Sequence, residues 1–403
     1  DRRQRQMCIR DSGILGNQLL TASSWSGNTK YYPYIPFMAS GTAGNWLFVD
    51  GEKSLYINPA GLVSSDLTWE KASTFNIGLD FTMLNQRLDF SFDWYQRTTS
   101  DMLVKVEYPE VLGTTAPPAN KAELRTRGWE VSVKWNDRIG NDFSYDLGFI
   151  LSDSQAEITK YENPSGTLSD YYVGQKIGEI WGYETEGFYQ SDTDVQNHAD
   201  QSKLGANWAP GDIMYKDLDG NKKINNGSNT LDDHGDLKVI GNTTPRYQYG
   251  ITANMSYKNV YLNVFFQGIG KRDFWPSSQP FWPVATQYYN TQKWFVTDSW
   301  SEDNRDAYFA RPIARETKNQ QKQTKYLQDA SYCRLKNLTV GYDFPKSWLS
   351  FLHVAKAGVY FSAENLFEFT NVKGAYDPEA AGKNGTMVYP FQRTYSFGLN
   401  VTF

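Results

Sequence analysis

Beyond residue 65, large apolar residues recur at every second position. Phe75, Ile77, Leu79, Phe81 and Met83 alternate with Asn76, Gly78, Asp80 and Thr82. After "NQR", Leu88, Phe90, Phe92 and Trp94 alternate with Asp89, Ser91, Asp93 and Tyr95. A two-residue period puts one set on each side of an extended chain, so these segments read as a long hairpin with one apolar and one polar face. The pattern returns in "GWEVSVKW" (Trp129, Val131, Val133, Trp135) and in "FSYDLGFIL" (Phe143, Tyr145, Leu147, Phe149, Leu151), with a turn expected over Asn136 to Asn141. It returns again in "YQYGITANMSY", "VYLNVFFQG", "YCRLKNLTVGY", "AGVYFSAENLFEF" and the closing "YSFGLNVTF". About nine strands are predicted, several of the roughly 9 to 11 residues that a tilted membrane-spanning strand needs.

Alternation alone also suits a water-soluble sandwich with one wet face. Connection lengths separate the two. The turns at 84–87, 136–141 and 258–259 are short, and the "DFPKSWLSFLHVAK" link is moderate. The connections near 105–124, 156–243, 271–330 and 370–390 are long. Short and long alternate, which sends every long loop to one end of an up-and-down array, the plan of an outer-membrane barrel. Trp94, Tyr95, Trp129, Trp135 and Tyr257 fall near strand ends, where interfacial aromatic girdles form.

Composition agrees with this reading. Aromatic residues make up 16% of the chain, with 27 Tyr, 23 Phe and 13 Trp, yet mean hydropathy is only -0.60. No apolar run approaches the roughly 20 residues of a membrane helix. The net charge of -5 argues against a nucleic-acid partner. Cys8 and Cys333 with His198, His234 and His353 offer neither a disulfide framework nor a Cys/His zinc site. His353 is expected in a short-end turn, and His198 and His234 in a long loop.

Residues 1–12, "DRRQRQMCIRDS", are basic and aperiodic, and one in-frame codon choice for them matches a sequencing-library adapter. They read as a translated artefact, which would remove Cys8 from the natural protein. Residues 13–403 then form one organisational unit.

"KDLDGNKKINNG" spaces Asp217, Asp219 and Asn221 as the first ligands of a calcium loop. The sixth position is Lys222 instead of Gly, the twelfth is Ser228, and no amphipathic helix flanks the stretch. These departures favour an Asx-type turn over bound calcium, the only cofactor the sequence suggests. Should a metal bind, Asp232 or Asp233 is the expected replacement for the missing ligand.

Several blocks resemble one family in its own order: "NPAGLVSSDLTWEKASTFNIGLDF", "NQRLDFSFDWYQRTTSDML", "GQKIGEIWGYETEGFYQ", "PGDIMYKDLDGNKKI", "VIGNTTPRYQYGITANMSYKNVYLNVFFQG", "DASYCRLKNLTVGYDFP", "VYFSAENLFEFT" and "RTYSFGLNVTF". They are similar to the C-terminal part of SusC/RagA-like TonB-dependent outer-membrane transporters. The resemblance implies an all-β fold, the C-terminal part of a large antiparallel transmembrane β-barrel with long external loops. It further implies import of an oligosaccharide or peptide, delivered by a SusD-like surface lipoprotein and driven through the TonB complex. The plug, the TonB-binding segment and the first strands are expected outside residues 13–403.

Tyr395, Phe397, Leu399, Val401 and Phe403 resemble the terminal signal by which such barrels are inserted into the outer membrane. Ligand contacts are sought in "RDFWPSSQPFWPVATQYYNTQKWF", whose Trp275, Trp282, Tyr288 and Trp294 have flat faces suited to sugars. A secreted glycan-binding β-protein is the alternative this loop supports. No G-x-S-x-G elbow, H-E-x-x-H or P-loop is present, and the paired Asp232 and Asp233 read as solvated loop charges, so an enzyme is not expected.

Overall fold

The computed structural model describes residues 38–42, 48–49, 52–53, 55–58, 62–64, 67–104, 117–278, 281–284, 291–349, 354–374, 376–381 and 391–403. Residues 1–12, Cys8, Tyr288 and His353 lie outside the described residues. Nine long strands build one antiparallel sheet: β1 (Lys71–Met83), β2 (Leu88–Val104), β3 (Ala119–Ile139), β4 (Phe143–Lys160), β5 (Arg246–Tyr257), β6 (Val260–Lys271), β7 (Tyr332–Asp343), β8 (Lys356–Thr370) and β9 (Thr394–Thr402). Each pairs with its sequence neighbour, so the sheet runs β1 to β9 in order, with β1 and β9 as its edges.

Register turns the alternation into two continuous faces. Phe81, Phe90, Val133, Phe149, Ile251, Phe266, Leu335 and Phe367 follow one another across eight strands as direct partners. Three residues along β5, on the other side of the sheet, the rung is Asn136, Asp146, Asn254, Asn263, Thr339, Ser362 and Ser396. A slip of one residue in any strand would exchange the faces there, so the register is fixed by side-chain chemistry. Cross-strand hydrogen bonds tie the polar face together, Ser144 to Ser256 at 2.7 Å and Asn254 to Asp146 at 3.1 Å. Ile150 and Phe265 are exceptions that place apolar side chains on this face.

The apolar face is exposed, Ile77 by 56% and Phe397 by 83%. In water such a surface would be a large contiguous liability; in a bilayer it is the solvated side. Its upper limit is visible in the register. The outward rung Ile77, Trp94, Trp129 carries the aromatic pair, and the next outward rung is Phe75, Gln96, Arg127 and Gln155. Below that limit β4 presents Phe143, Tyr145, Leu147, Phe149 and Leu151, a band nine residues long, within the range that spans a membrane. Tyr257 closes the lower end, exposed on the same face. Tyr95 differs from the girdle expectation: it is one residue from Trp94, so it points to the polar side, where its ring lies over Gly128. A Cβ on Gly128 would stand 2.5 Å from the tip of that ring, so glycine leaves the space the ring fills.

All the short connections lie at one end. They are 84–87, 140–142 and 258–259, with 344–355 carrying one helical turn at Lys346–Leu349. The turn expected over Asn136 to Asn141 is tighter, because β3 stays paired to Ile139 and Gly140 reverses the chain with φ of 63°. At the opposite end strands run far beyond the apolar band, and β3 has 21 residues. The wall therefore continues above the membrane into the long loops.

Candidate functional site

Near the short-turn end, the polar face lines a hollow of about 500 Å3, bordered by Arg87, Arg138, Asp146, Asn254, Ser256 and Asn263. Its lining is hydrophilic and cross-linked, suited to water and polar solutes.

The two longest connections, 161–245 and 272–331, fold against each other. Short pairings hold them: Glu179–Tyr183 with Leu237–Asn242, Thr185–Phe188 with Ile213–Tyr215, and Asp273–Phe274 with Gln328–Asp329. Tyr183, Phe188, Ile213, Tyr215 and Ile224 of the first meet Phe281, Trp282, Phe295, Phe309 and Tyr326 of the second in one core. Burial pushes the Tyr215 and Tyr326 hydroxyls far above their ordinary pKa. Both are hydrogen-bonded, Tyr215 donating to the Lys318 carbonyl at 2.7 Å and Tyr326 accepting the Ala310 amide at 2.7 Å.

A buried ionic cluster locks the same junction. Asp212 has no exposure; it accepts from Arg311 at 2.7 and 2.8 Å and from Asn319 at 2.9 Å, and pairs with Lys318 at 3.0 Å. Burial alone would raise its pKa, but the hydrogen bonds from Arg311, Asn319 and Lys318 outweigh burial and hold it below the ordinary value. Sequence reading passed over Asp212, because its partners lie about a hundred residues away.

The predicted ligand residues divide by burial. Trp282 lies in the core, edge-on to Tyr326 with centroids 5.0 Å apart, and its indole N–H donates to the Pro276 carbonyl. Its faces are used by the fold. Trp275 and Trp294 are half-buried and pack against that core, Trp294 stacked on Tyr308 with centroids 6.0 Å apart.

In the acidic loop, Asp217 accepts the Gly220 and Lys222 amides at 2.8 Å each. Asp219 takes the Asn221 amide at 2.9 Å, and Asn221 takes that of Lys223 at 2.7 Å. Lys222 occupies the left-handed region with φ of 62°, at the position where a calcium loop has Gly. The acid that converges with Asp217 and Asp219 is the buried Asp236, which accepts the Leu218 and Asn225 amides. Asp233 instead accepts from Ser228, and Asp232 is not in the cluster. Ser228 thus engages Asp233, and the acid that the fold brings beside Asp217 and Asp219 is Asp236 in place of the expected Asp232 or Asp233. His198 and His234 both sit in the 161–245 connection, against Tyr189 and Trp181. At the terminus, Tyr395, Phe397, Leu399 and Val401 share the exposed apolar side of β9, followed by Phe403.

Residues 26–366 match the family model described as TonB dependent receptor-like, beta-barrel. TonB-dependent receptor P3 of Formosa agariphila is 30% identical over 366 residues, covering 84% of this chain and 35% of that protein. TonB-dependent receptor SusC of Bacteroides thetaiotaomicron is 27% identical over 355 residues, with 84% and 32% coverage. Among solved structures, the RagAB peptide transporter superposes with a TM-score of 0.67 at 23% identity, covering 92% of this chain and 39% of that one, which establishes the fold. The chain spans between 32% and 41% of the length of the curated relatives it matches. It belongs to the TonB-dependent receptor β-barrel family, whose place is the outer membrane.

Proposed function

We propose that the full-length protein imports an oligosaccharide or peptide across the outer membrane, and that this chain supplies the C-terminal wall of its barrel and much of its external mouth. The observation that carries the reading is the two-faced wall, exposed apolar rungs on one side and an unbroken polar rung on the other. Such a wall separates lipid from a wet conduit. The folded long loops stand where a ligand is first met, and a SusD-like lipoprotein covers them in this reading. Force reaches the barrel through a plug and TonB-binding segment carried elsewhere in the full-length protein. No catalytic step is assigned to the chain. The secreted glycan-binding alternative is disfavoured by the apolar face, which has no cover among the described residues.

Two smaller assignments belong to the same proposal. The Asp217 to Lys223 stretch acts as a self-bonded turn, its carboxylates already satisfied by amides. The terminal residues from Tyr395 to Phe403 serve recognition by the insertion machinery.

The test is uptake in a strain lacking the gene, complemented with the full-length protein. Labelled oligosaccharides and peptides should enter only when TonB and the surface lipoprotein are both present. Uptake independent of TonB would remove the import reading.

A further inference from the structure

Three separate connections meet at Tyr308. Phe188 arrives from 161–245, Tyr308 and Lys325 belong to 272–331, and Lys373 follows β8. The Lys373 ammonium lies 4.1 Å from the centre of the Tyr308 ring. That of Lys325 lies 5.9 Å from the same ring and 4.3 Å from the centre of Phe188. Among the described residues, neither ammonium has an ion-pair or hydrogen-bond partner.

This is unlike the treatment of other shielded cations in the molecule. Lys318 and Arg311 are paired with Asp212, Arg246 with Asp153, and Arg334 with Asp377 and Glu379. Arg272 donates to the Thr243 carbonyl. Around Tyr308 the fold instead places two like charges about one ring and half-buries one of them. Asp298 is the acid whose field reaches Lys325, and its carboxylate is engaged by the Tyr308 amide at 3.0 Å. Burial first, and then the charge of Lys373, push the Lys325 ammonium below its ordinary pKa. An anion supplied from outside would relieve both effects at once, since an opposite charge nearby favours the charged amine.

We propose that Lys325 and Lys373, set around Tyr308, form an anion-recognising subsite that takes the carboxylate or sulfate group of an acidic oligosaccharide. The assignment rests on the import reading and narrows its ligand. A saccharide fits better than a peptide for two reasons. The half-buried Trp294, stacked on Tyr308, sets flat aromatic surface beside the charges. The subsite itself is built of side chains, whereas an extended peptide is ordinarily held by main-chain bonds to an open strand edge.

The test uses the full-length protein purified with its surface lipoprotein, titrated calorimetrically with oligogalacturonate, a sulfated galactan oligosaccharide, a neutral maltooligosaccharide and a Glu-rich peptide. The wild type should bind an acidic saccharide in preference to the neutral one, and the preferred acidic probe identifies carboxylate or sulfate as the natural group. The Lys325→Gln, Lys373→Gln double variant should bind that probe about tenfold or more weakly. The Lys325→Arg, Lys373→Arg variant, which keeps both charges, should stay near the wild type, and heat-modifiable migration should show that all variants are folded. Equal binding by the Gln variant, no acidic binding by the wild type, or preference for the peptide would each overturn the proposal. TonB-dependent uptake by the wild type is measured in parallel, so failure of the subsite is distinguishable from failure of the import reading.

Discussion

The wall and the loop subdomain use the same residue types in opposite ways. In the wall, Phe149, Ile251 and Phe397 are exposed, and the polar side chains pair across the strands, Asn254 with Asp146 and Ser256 with Ser144. In the loops, Phe281, Phe309 and Tyr326 are buried, and the buried Asp212 is paired with both Arg311 and Lys318. The same hydrophobic preference governs both. What changes is the solvent: lipid on one side of the wall, water around the loops. A hydrophobic residue that would be a defect in one region is a requirement in the other.

The largest effect that would break this comparison concerns the sheet edges. Among the described residues the outer edges of β1 and β9 have no strand partner, and in residues 13–403 produced alone each unsatisfied backbone group in hydrocarbon costs several kcal/mol. Refolding in detergent should give aggregates or open sheets, with no TonB-dependent uptake. A monomeric, heat-modifiable and conducting barrel would contradict it.

Next comes the loop cluster. Asp212→Ala removes one member of a buried ionic group and should weaken the loop subdomain by about 3 kcal/mol or more. Hydrogen exchange should report the loss in 161–245 and 272–331, with the strands of the wall unaffected. The same carboxylate gives a pH signature. Its pKa is depressed on folding, so its contribution is present above the ordinary carboxylate value of 3.8 and is lost as pH falls through the lower folded value. Loop protection should be level above that range and fall below it in the wild type, and this acid-sensitive step should be missing in Asp212→Asn.

Charge placed on the lipid face should cost about 2 to 4 kcal/mol near the bilayer midplane. Ile251→Arg should lower the unfolding free energy of the full-length barrel in lipid by that amount, and Asn254→Arg, on the polar face, by much less. Similar losses at both positions would erase the distinction between faces. The smallest expected effect belongs to the acidic turn, where calcium titration should show no micromolar site that the Asp217→Ala, Asp219→Ala variant abolishes. A site lost in that variant would make Asp236 a ligand.

The two regions also differ in how far the sequence discloses them. Strand order, faces and the placement of long connections were legible because alternation is a local signal and every strand pairs with its chain neighbour. Even there, Tyr95 was assigned by proximity to a strand end, although its parity put it on the polar side. The loop core was not legible. Tyr183, Ile224, Phe281 and Tyr326 come together from distant positions without periodicity, and Trp282 looks like a sugar platform until its burial is seen. Asp236 and Lys325 were missed for the same reason, since what distinguishes them is convergence in space.

Accessibility of the two faces in the native membrane tests the central claim most directly. Single cysteines at Phe149, Ile251, Asp146 and Asn254, in full-length protein whose native cysteines are replaced by Ser, would be spin-labelled in outer-membrane lipid. The account predicts high collision rates with oxygen, which partitions into lipid, at 149 and 251, and with a water-soluble nickel chelate at 146 and 254. Nickel access at 149 and 251 with oxygen access at 146 and 254 would show that the wall faces the other way, and the conduit would be lost with it.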